Sequence, residues 1–291
     1  VWGTIKELYQ YRELLVTFVK RDLQVRYKGS VLGFLWSFLI PILSVAVLYF
    51  IANFVMESRS SSSTAYLAAS YLPFTFFNQS LLDGAQSVLG NIGILRKVYL
   101  PREIFTVSIV AGNFINLLLG LGVLQVYLFA VWARTGFHQS PFSSQMWVLP
   151  LLLLIIFFLT LGFSLLFAAL NVFYEDIRYL LGVVLWMFFF ANPVFYFEEN
   201  IYHKFKMFGE RGELYYRIWL LNPVATLCSA FRVTLVAPGT VSVPTPKGMA
   251  DIPMFGLSWP HIAYAGVVSL LILWIGNTVF QKMKWKFAER P

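Results

Sequence analysis

Long apolar runs, separated by short polar ones, set the rhythm of this chain. About 20 helical residues cross roughly 30 Å of hydrocarbon. Six stretches reach that length: about Leu32–Met56, Ala65–Leu89, Ile104–Ala133, Trp147–Val172, Tyr179–Phe197 and Trp259–Phe280. The first carries no charge, whereas the second is weaker and holds Asp83, the one acidic residue inside any of the six. Pro41, Pro73 and Pro193 fall within these runs, where membrane helices tolerate them with local kinks. The pattern predicts an all-α integral membrane protein with about six transmembrane helices.

The segments between the runs differ in kind. Residues 1–31 are charged yet periodic: Leu8, Leu15, Phe18 and Val19 share one helical face, and Lys20, Gln24 and Lys28 line another. That spacing describes either an amphipathic helix lying in the interface plane or a solvated lead-in. No signal peptide is expected there, because apolar and charged residues mix from Val1 to Lys28. The loop 94–105 sets Arg96, Lys97 and Arg102 around Pro101, with large apolar residues between them. Such a segment either docks into another protein's groove, with apolar anchors and charges fixing register, or lies on lipid as a basic loop. The tail 282–287 alternates lysine with apolar residues and reads as an interfacial anchor.

Region 198–258 opens polar and turns apolar across 218–231, where Asn222-Pro223 breaks it. An apolar piece this short does not span; it suits a re-entrant hairpin lining a water-filled cavity, with Cys228 reachable by water. The Pro- and Gly-rich stretch Ala237–Pro253 predicts an irregular loop.

Composition and charge narrow the class. The chain is 58% hydrophobic and 12% charged, against about 25% charged in soluble domains. Segments 1–31, 91–103, 173–178 and the tail from 281 hold 14 of the 22 Lys and Arg residues, so both termini are expected on the cytoplasmic side. The formal charge of +8 thus reflects membrane orientation and not nucleic-acid binding. Cys228 is the single cysteine, and His138, His203 and His261 lack metal-ligand spacing. There is no Gly-Lys pair, hence no phosphate-cradling Walker A loop. Nothing in the sequence has the form of a catalytic motif. Asp83 is a candidate functional acid by its position.

One stretch carries a family likeness. Arg21-Asp22, Arg26-Tyr27, Ser30, Leu32-Gly33, Trp36 and Pro41 together resemble the N-terminal signature of the ABC-2 type polysaccharide export permeases. Leu95–Glu103 is similar to that family's K-x-x-x-P-R-E element. Phe173–Arg178 resembles its loop between spans four and five, with Tyr-Glu where the pattern has Tyr-Arg. Leu221-Asn222-Pro223 matches its outer turn.

The resemblance implies a cytoplasmic interface helix (1–31) ahead of a six-span transmembrane domain (32–291). It implies a homodimer in the bacterial cytoplasmic membrane, partnered by two copies of a separate ATPase that binds ATP and magnesium. This chain then needs no cofactor of its own. Arg21, Arg26, Arg96, Lys97, Pro101, Arg102 and Glu103 would couple to the ATPase, and Asn222 and Pro223 would form an outer gate. The cargo would be a lipid-linked polysaccharide such as O antigen, capsule or teichoic acid, guided by Phe34, Phe38 and Tyr49 of span one and Trp186, Phe189 and Phe190 of span five. An ABC-2 permease for a small molecule, or a membrane glycosyl- or acyltransferase, is the alternative; the latter needs a carboxylate or histidine pair that the sequence does not display.

Overall fold

A backbone in hydrocarbon must satisfy its polar groups within its own segment, so the apolar runs become helices. The computed structural model describes residues 7–26, 29–55, 62–95, 97, 100–134, 136–137, 140–207, 209–245 and 248–288. Helix α1 is Arg12–Arg26. Helix α2, Trp36–Phe50, continues into a π-helical turn, Ile51–Val55. Then follow α3 (Ser62–Gln86), α4 (Glu103–Arg134), α5 (Leu149–Phe173) and α6 (Asp176–Ala191). Three shorter helices, α7 (Glu198–Lys206), α8 (Glu210–Leu220) and α9 (Pro223–Leu235), precede a β-hairpin, β1 (Thr240–Thr245) and β2 (Gly248–Pro253). Helix α10, Trp259–Met283, leads into the tail.

Among the described residues, four helical stretches are long and apolar enough to cross a membrane: Trp36–Phe54, Glu103–Arg134, Met146–Phe173 and Trp259–Met283. Helix α3 is equally long but more polar, and its position explains why. It lies at the centre of the bundle, packed against α2, α4, α5, α6 and α9, with residues 63–70 all buried. Protein surrounds its buried polar side chains, Ser63, Thr64, Ser70 and Ser80.

Helix α6 spans 16 residues, about 24 Å at 1.5 Å per residue, so it falls short of the hydrocarbon thickness. It ends because Asn192 is extended (φ −103°, ψ 147°), as a residue preceding proline prefers to be. Pro193 therefore terminates the helix and does not kink it.

Helices α5 and α10 make the closest crossing. A Cβ on Gly276 would lie 2.0 Å from the Gly162 carbonyl oxygen, and one on Gly162 would lie 2.5 Å from the Leu273 amide nitrogen. Small residues are what allow membrane helices to approach this closely.

The irregular loop expected at Ala237–Pro253 is instead an antiparallel hairpin, with Val241 opposite Ile252 and Val243 opposite Ala250. Its Val and Thr residues favour strand. A two-stranded ribbon has only edges, where proline is tolerated. The hairpin's base is held by the Ala237 amide, which donates to the Pro141 carbonyl at 2.8 Å.

Candidate functional site

Two basic residues of α1, Arg21 and Arg26, turn toward the spans. Arg21 donates to Asp22 at 2.8 Å and to Asn91 Oδ1 at 3.2 Å, and stacks 4.6 Å from the Phe18 ring centroid. Asp22 accepts in turn from Ser108 of α4 at 3.1 Å. Arg26 pairs with Asp83 of α3 at 2.8 Å, and the same carboxylate accepts from Gln79 at 2.9 Å and Asn113 at 3.2 Å. Beneath this polar network Phe18 is buried against Ile104 and Phe105, with Leu14, Leu15, Leu95 and Leu100 around them. Helix α1 is thus clamped to the first turns of α4 by an apolar face and to α3 by the Arg26–Asp83 ion pair. Asp22, Asn91, Ser108 and Asn113 complete the network. Ser108 and Asn113 gave no signal in the sequence, because a lone polar residue in a span does not reveal its partner.

The loop 94–103 divides into an inward and an outward part. Leu95, Leu100 and Pro101 are buried or half-buried, so much of the loop's apolar content is used within the chain. Lys97 is exposed, and Arg96 lies outside the described residues. Arg102 sits 5.7 Å from the Phe287 ring centroid. Glu103 is 1% exposed and accepts from Lys284 at 3.1 Å and from Gln281. At the first turn of α4 its charge also meets the positive end of the helix dipole.

These contacts revise the reading of the tail. Trp285 remains exposed, as an interfacial anchor should, but Lys284 and Phe287 turn inward. The Phe287 ring lies 5.8 Å from that of Phe173 and 5.5 Å from that of Phe280.

Helices α2 and α6, which hold the rings expected on spans one and five, present rings outward. Phe38 and Tyr49 are exposed on α2, while Pro41, Val45 and Leu48 face the bundle. On α6 only Leu181 and Leu185 are buried; Trp186 and Phe190 are exposed, with ring centroids 5.5 Å apart. Phe189 differs from its neighbours. It is half-buried, with its ring edge-on to Phe74 at 5.4 Å and to Phe195 at 5.2 Å. Phe34 lies in the 3₁₀ turn Gly33–Leu35, its side chain outside the described residues.

The apolar piece broken at Asn222-Pro223 is sharply bent, with 84° between Arg211–Leu220 and Pro223–Leu235. Asn222 makes the corner. Its side chain accepts from the Val224 amide at 3.1 Å, a helix N-cap, and donates to Asn192 at 3.1 Å. Pro223 occupies the first helical turn, where its missing N–H costs nothing. Arg232, 4% exposed, binds the carbonyls of Pro193, Val194 and Tyr196, at 3.2 Å to Val194 and 2.9 Å to Tyr196. It thereby ties α9 to the chain leaving α6. Cys228 does not face water: it is fully buried against α3, where Ser70 donates to its carbonyl at 3.3 Å. The face of α9 that lines a cavity is Thr226, Ser229, Ala230 and Val233.

Among the described residues no three His, Cys, Asp or Glu side chains converge as metal ligands. The arrangement is a first helix clamped to the bundle, two helices with exposed rings and a sharply bent corner at Asn222-Pro223.

Comparison with known proteins accords with this architecture. Residues 13–236 match the ABC-2 type transporter family. The chain is 29% identical over 286 residues to the O-antigen export system permease protein RfbA of Myxococcus xanthus, covering 98% of both chains. It is 27% identical over 280 residues to the protein of the same name from Klebsiella pneumoniae, covering 95% of this chain and 94% of that one. The chain belongs to the ABC-2 type transporter family.

Proposed function

We propose that this chain is the permease subunit of an ATP-driven exporter that carries lipid-linked polysaccharide across the bacterial cytoplasmic membrane. Two copies form the channel, and two copies of a separate ATPase drive it. The relatives' names, O-antigen export permeases aligned over nearly the whole chain, support the cargo class. The observation that carries the reading is the outward ring face of α2 and α6. Exposed Phe38, Tyr49, Trp186 and Phe190 are weak, tolerant contacts for sugar faces. They guide a long polar chain without trapping it.

In this reading six helices span, with α3 and α6 completing the four apolar ones, and both termini are cytoplasmic. Residues 1–31 form the interface element and 32–291 the transmembrane domain. Arg96, Lys97 and Arg102 meet the ATPase. Arg21, Arg26, Pro101 and Glu103 pass its movement inward through the clamp on α3, α4 and the tail. Asn222 and Pro223 act as the hinge of the outer gate.

The test is surface polysaccharide in a strain lacking the native permease and complemented with variants. Phe34→Ala alone slows export modestly. Phe34, Phe38 and Trp186 changed together to alanine block it, while protein level and ATPase association persist. Stacking on a ring is worth about 1–3 kcal/mol even for nucleobases, so no single ring should decide transport of a polymer. A small-molecule pump would instead lose or change its cargo on removal of one ring.

A further inference from the structure

Helix α8 sits at the level where the apolar helices end. Trp147, just before α5, and Trp259, at the start of α10, are both exposed, with ring centroids 5.6 Å apart. Such a pair marks a lipid–water boundary. Tyr264 lies about 8 Å beyond Trp259 along α10, and its hydroxyl donates to the Leu221 carbonyl at 3.0 Å. The Trp219 indole donates to the carbonyl of Ala191, the last residue of α6, at 3.1 Å. Two hydrogen bonds therefore hold the end of α8 close to the boundary that the tryptophans mark.

At about 100° per residue, α8 has three distinct faces. Gly212, Tyr216 and Leu220 turn inward: the Phe205 carbonyl leaves no room for a Cβ on Gly212, and the Tyr216 hydroxyl donates to Glu198 at 2.6 Å. Glu213 and Arg217 pair with each other at 2.6 Å on a polar flank. Leu214, Ile218 and Leu221 make the third face, and each is more than half exposed. Around the turn between α7 and α8 stand Lys204, Lys206 and Arg211, all exposed. Segment 204–217 holds four Lys and Arg residues against two Glu. Glu198 and Glu199 do not offset the bases at the surface, since they accept from Tyr216 and from the Phe255 amide.

An exposed apolar stripe beside a basic patch selects its cover. Exposed stripes of this kind mark contact with protein or membrane. A second copy in two-fold contact would bring the same bases together, and like charges repel. A phospholipid surface meets both requirements. Acyl chains take the stripe, headgroup phosphates take the bases, and the polar flank stays in water. A helix with apolar and basic faces so arranged lies in the plane of the interface.

We propose that the α7–α8 hairpin docks on the phospholipid surface at the outer side of the membrane. Leu214, Ile218 and Leu221 enter the acyl boundary, and Lys204, Lys206 and Arg211 lie among the headgroup phosphates. The proposal goes beyond the transport reading and takes only its orientation from it. Because α8 runs into Asn222-Pro223, the lipid holds the bent corner at the membrane surface.

The test uses the full-length permease with its ATPase in nanodiscs. Ile218→Cys and Glu213→Cys are made separately and labelled with bimane, while Cys228 is fully buried and leaves the parent unlabelled. Emission is quenched either by phosphatidylcholine brominated near the top of its acyl chains or by aqueous iodide. The label at position 218 should lose emission to brominated lipid and little to iodide; the label at position 213, on the polar flank, should do the reverse. Adding phosphatidylglycerol should deepen the lipid quenching at position 218. Lys204→Glu, Lys206→Glu and Arg211→Glu together should remove that gain. Quenching at position 218 by iodide alone puts the stripe in water, and shielding from both quenchers puts a protein against it. Either result overturns lipid docking, as does a triple variant that still responds to phosphatidylglycerol. Lipid quenching is blind to sidedness, so labelling of Glu213→Cys by a membrane-impermeant maleimide from the cytoplasmic side alone overturns the orientation instead.

Discussion

Glu103 shows how a single residue can belong to a coupling element without touching a partner. Its carboxylate is 1% exposed, and Lys284, at 17%, is its cationic neighbour. Removing one partner of a fully buried pair costs about 3–5 kcal/mol, because the other charge is stranded. Here Gln281 still donates and Lys284 lies closer to water, so Lys284→Ala should cost about 2–3 kcal/mol. Glu103→Gln should cost less, since it leaves no stranded carboxylate. Thermal unfolding of the purified permease measures both, and equal melting of Lys284→Ala and the parent would remove the tail from the clamp. The order of these effects could not be read in advance. A lysine in an alternating tail looks the same whether it snorkels to lipid headgroups or folds back onto a helix start. Asp83 is the converse case: its place in a span marked it for attention, but only the fold reveals Arg26, Gln79 and Asn113 around it.

At the scale of elements, the helices were legible because hydrophobic length is a local property. The expected limits of the third, fourth and sixth runs fall within three residues of α4, Met146–Phe173 and α10. What escaped was set by neighbours. The β-hairpin was hidden under its turn-forming prolines and glycines, and Pro193 was placed inside a helix that it ends. The close approach of α5 and α10 was invisible too, since one glycine in an apolar run says nothing of what crosses it. That crossing gives a sharp expectation. Gly276→Leu puts a branched side chain where even a Cβ would lie 2.0 Å from the Gly162 carbonyl oxygen. Backbone cannot yield as a flexible side chain can, so α5 and α10 must separate and lose their packing. The variant should insert but turn protease-sensitive in the membrane and fail to export. Gly122→Ala, at an open position on α4, should be silent in both assays. Protease resistance in Gly276→Leu equal to the parent would mean that the crossing is not a fixed contact.

For the whole molecule the open question of assembly turns on α6. Lipid-facing apolar residues are ordinary in a membrane protein, so exposure alone does not select a dimer surface. At about 24 Å, α6 is short for a bilayer, and the segment after it, 192–197, is not helical. Non-helical backbone is tolerated at membrane depth when protein faces it, and Arg232 supplies that within the chain by binding the carbonyls of Pro193, Val194 and Tyr196. What the proposed function adds is a second copy that places its α2 across from α6, so that both helices lend their rings to one channel. In a two-fold dimer the contact is reciprocal: α2 meets the partner's α6 twice. Val47 and Met187 each lie 11 residues beyond the first residue of their helix, Trp36 and Asp176, so both sit about 16 Å along it. Both are exposed. In intact membranes, Val47→Cys combined with Met187→Cys should cross-link with a short bifunctional thiol reagent to a band of twice the chain's mass. The parent should give none, because Cys228 is buried. Each single variant should give far less than the pair, as it lacks the reciprocal partner. A cross-link that leaves the mass at one chain would place α2 beside α6 within a protomer. Strong dimer formation by Val47→Cys alone would put the two α2 helices against each other, and the channel wall would then have to be drawn from other faces.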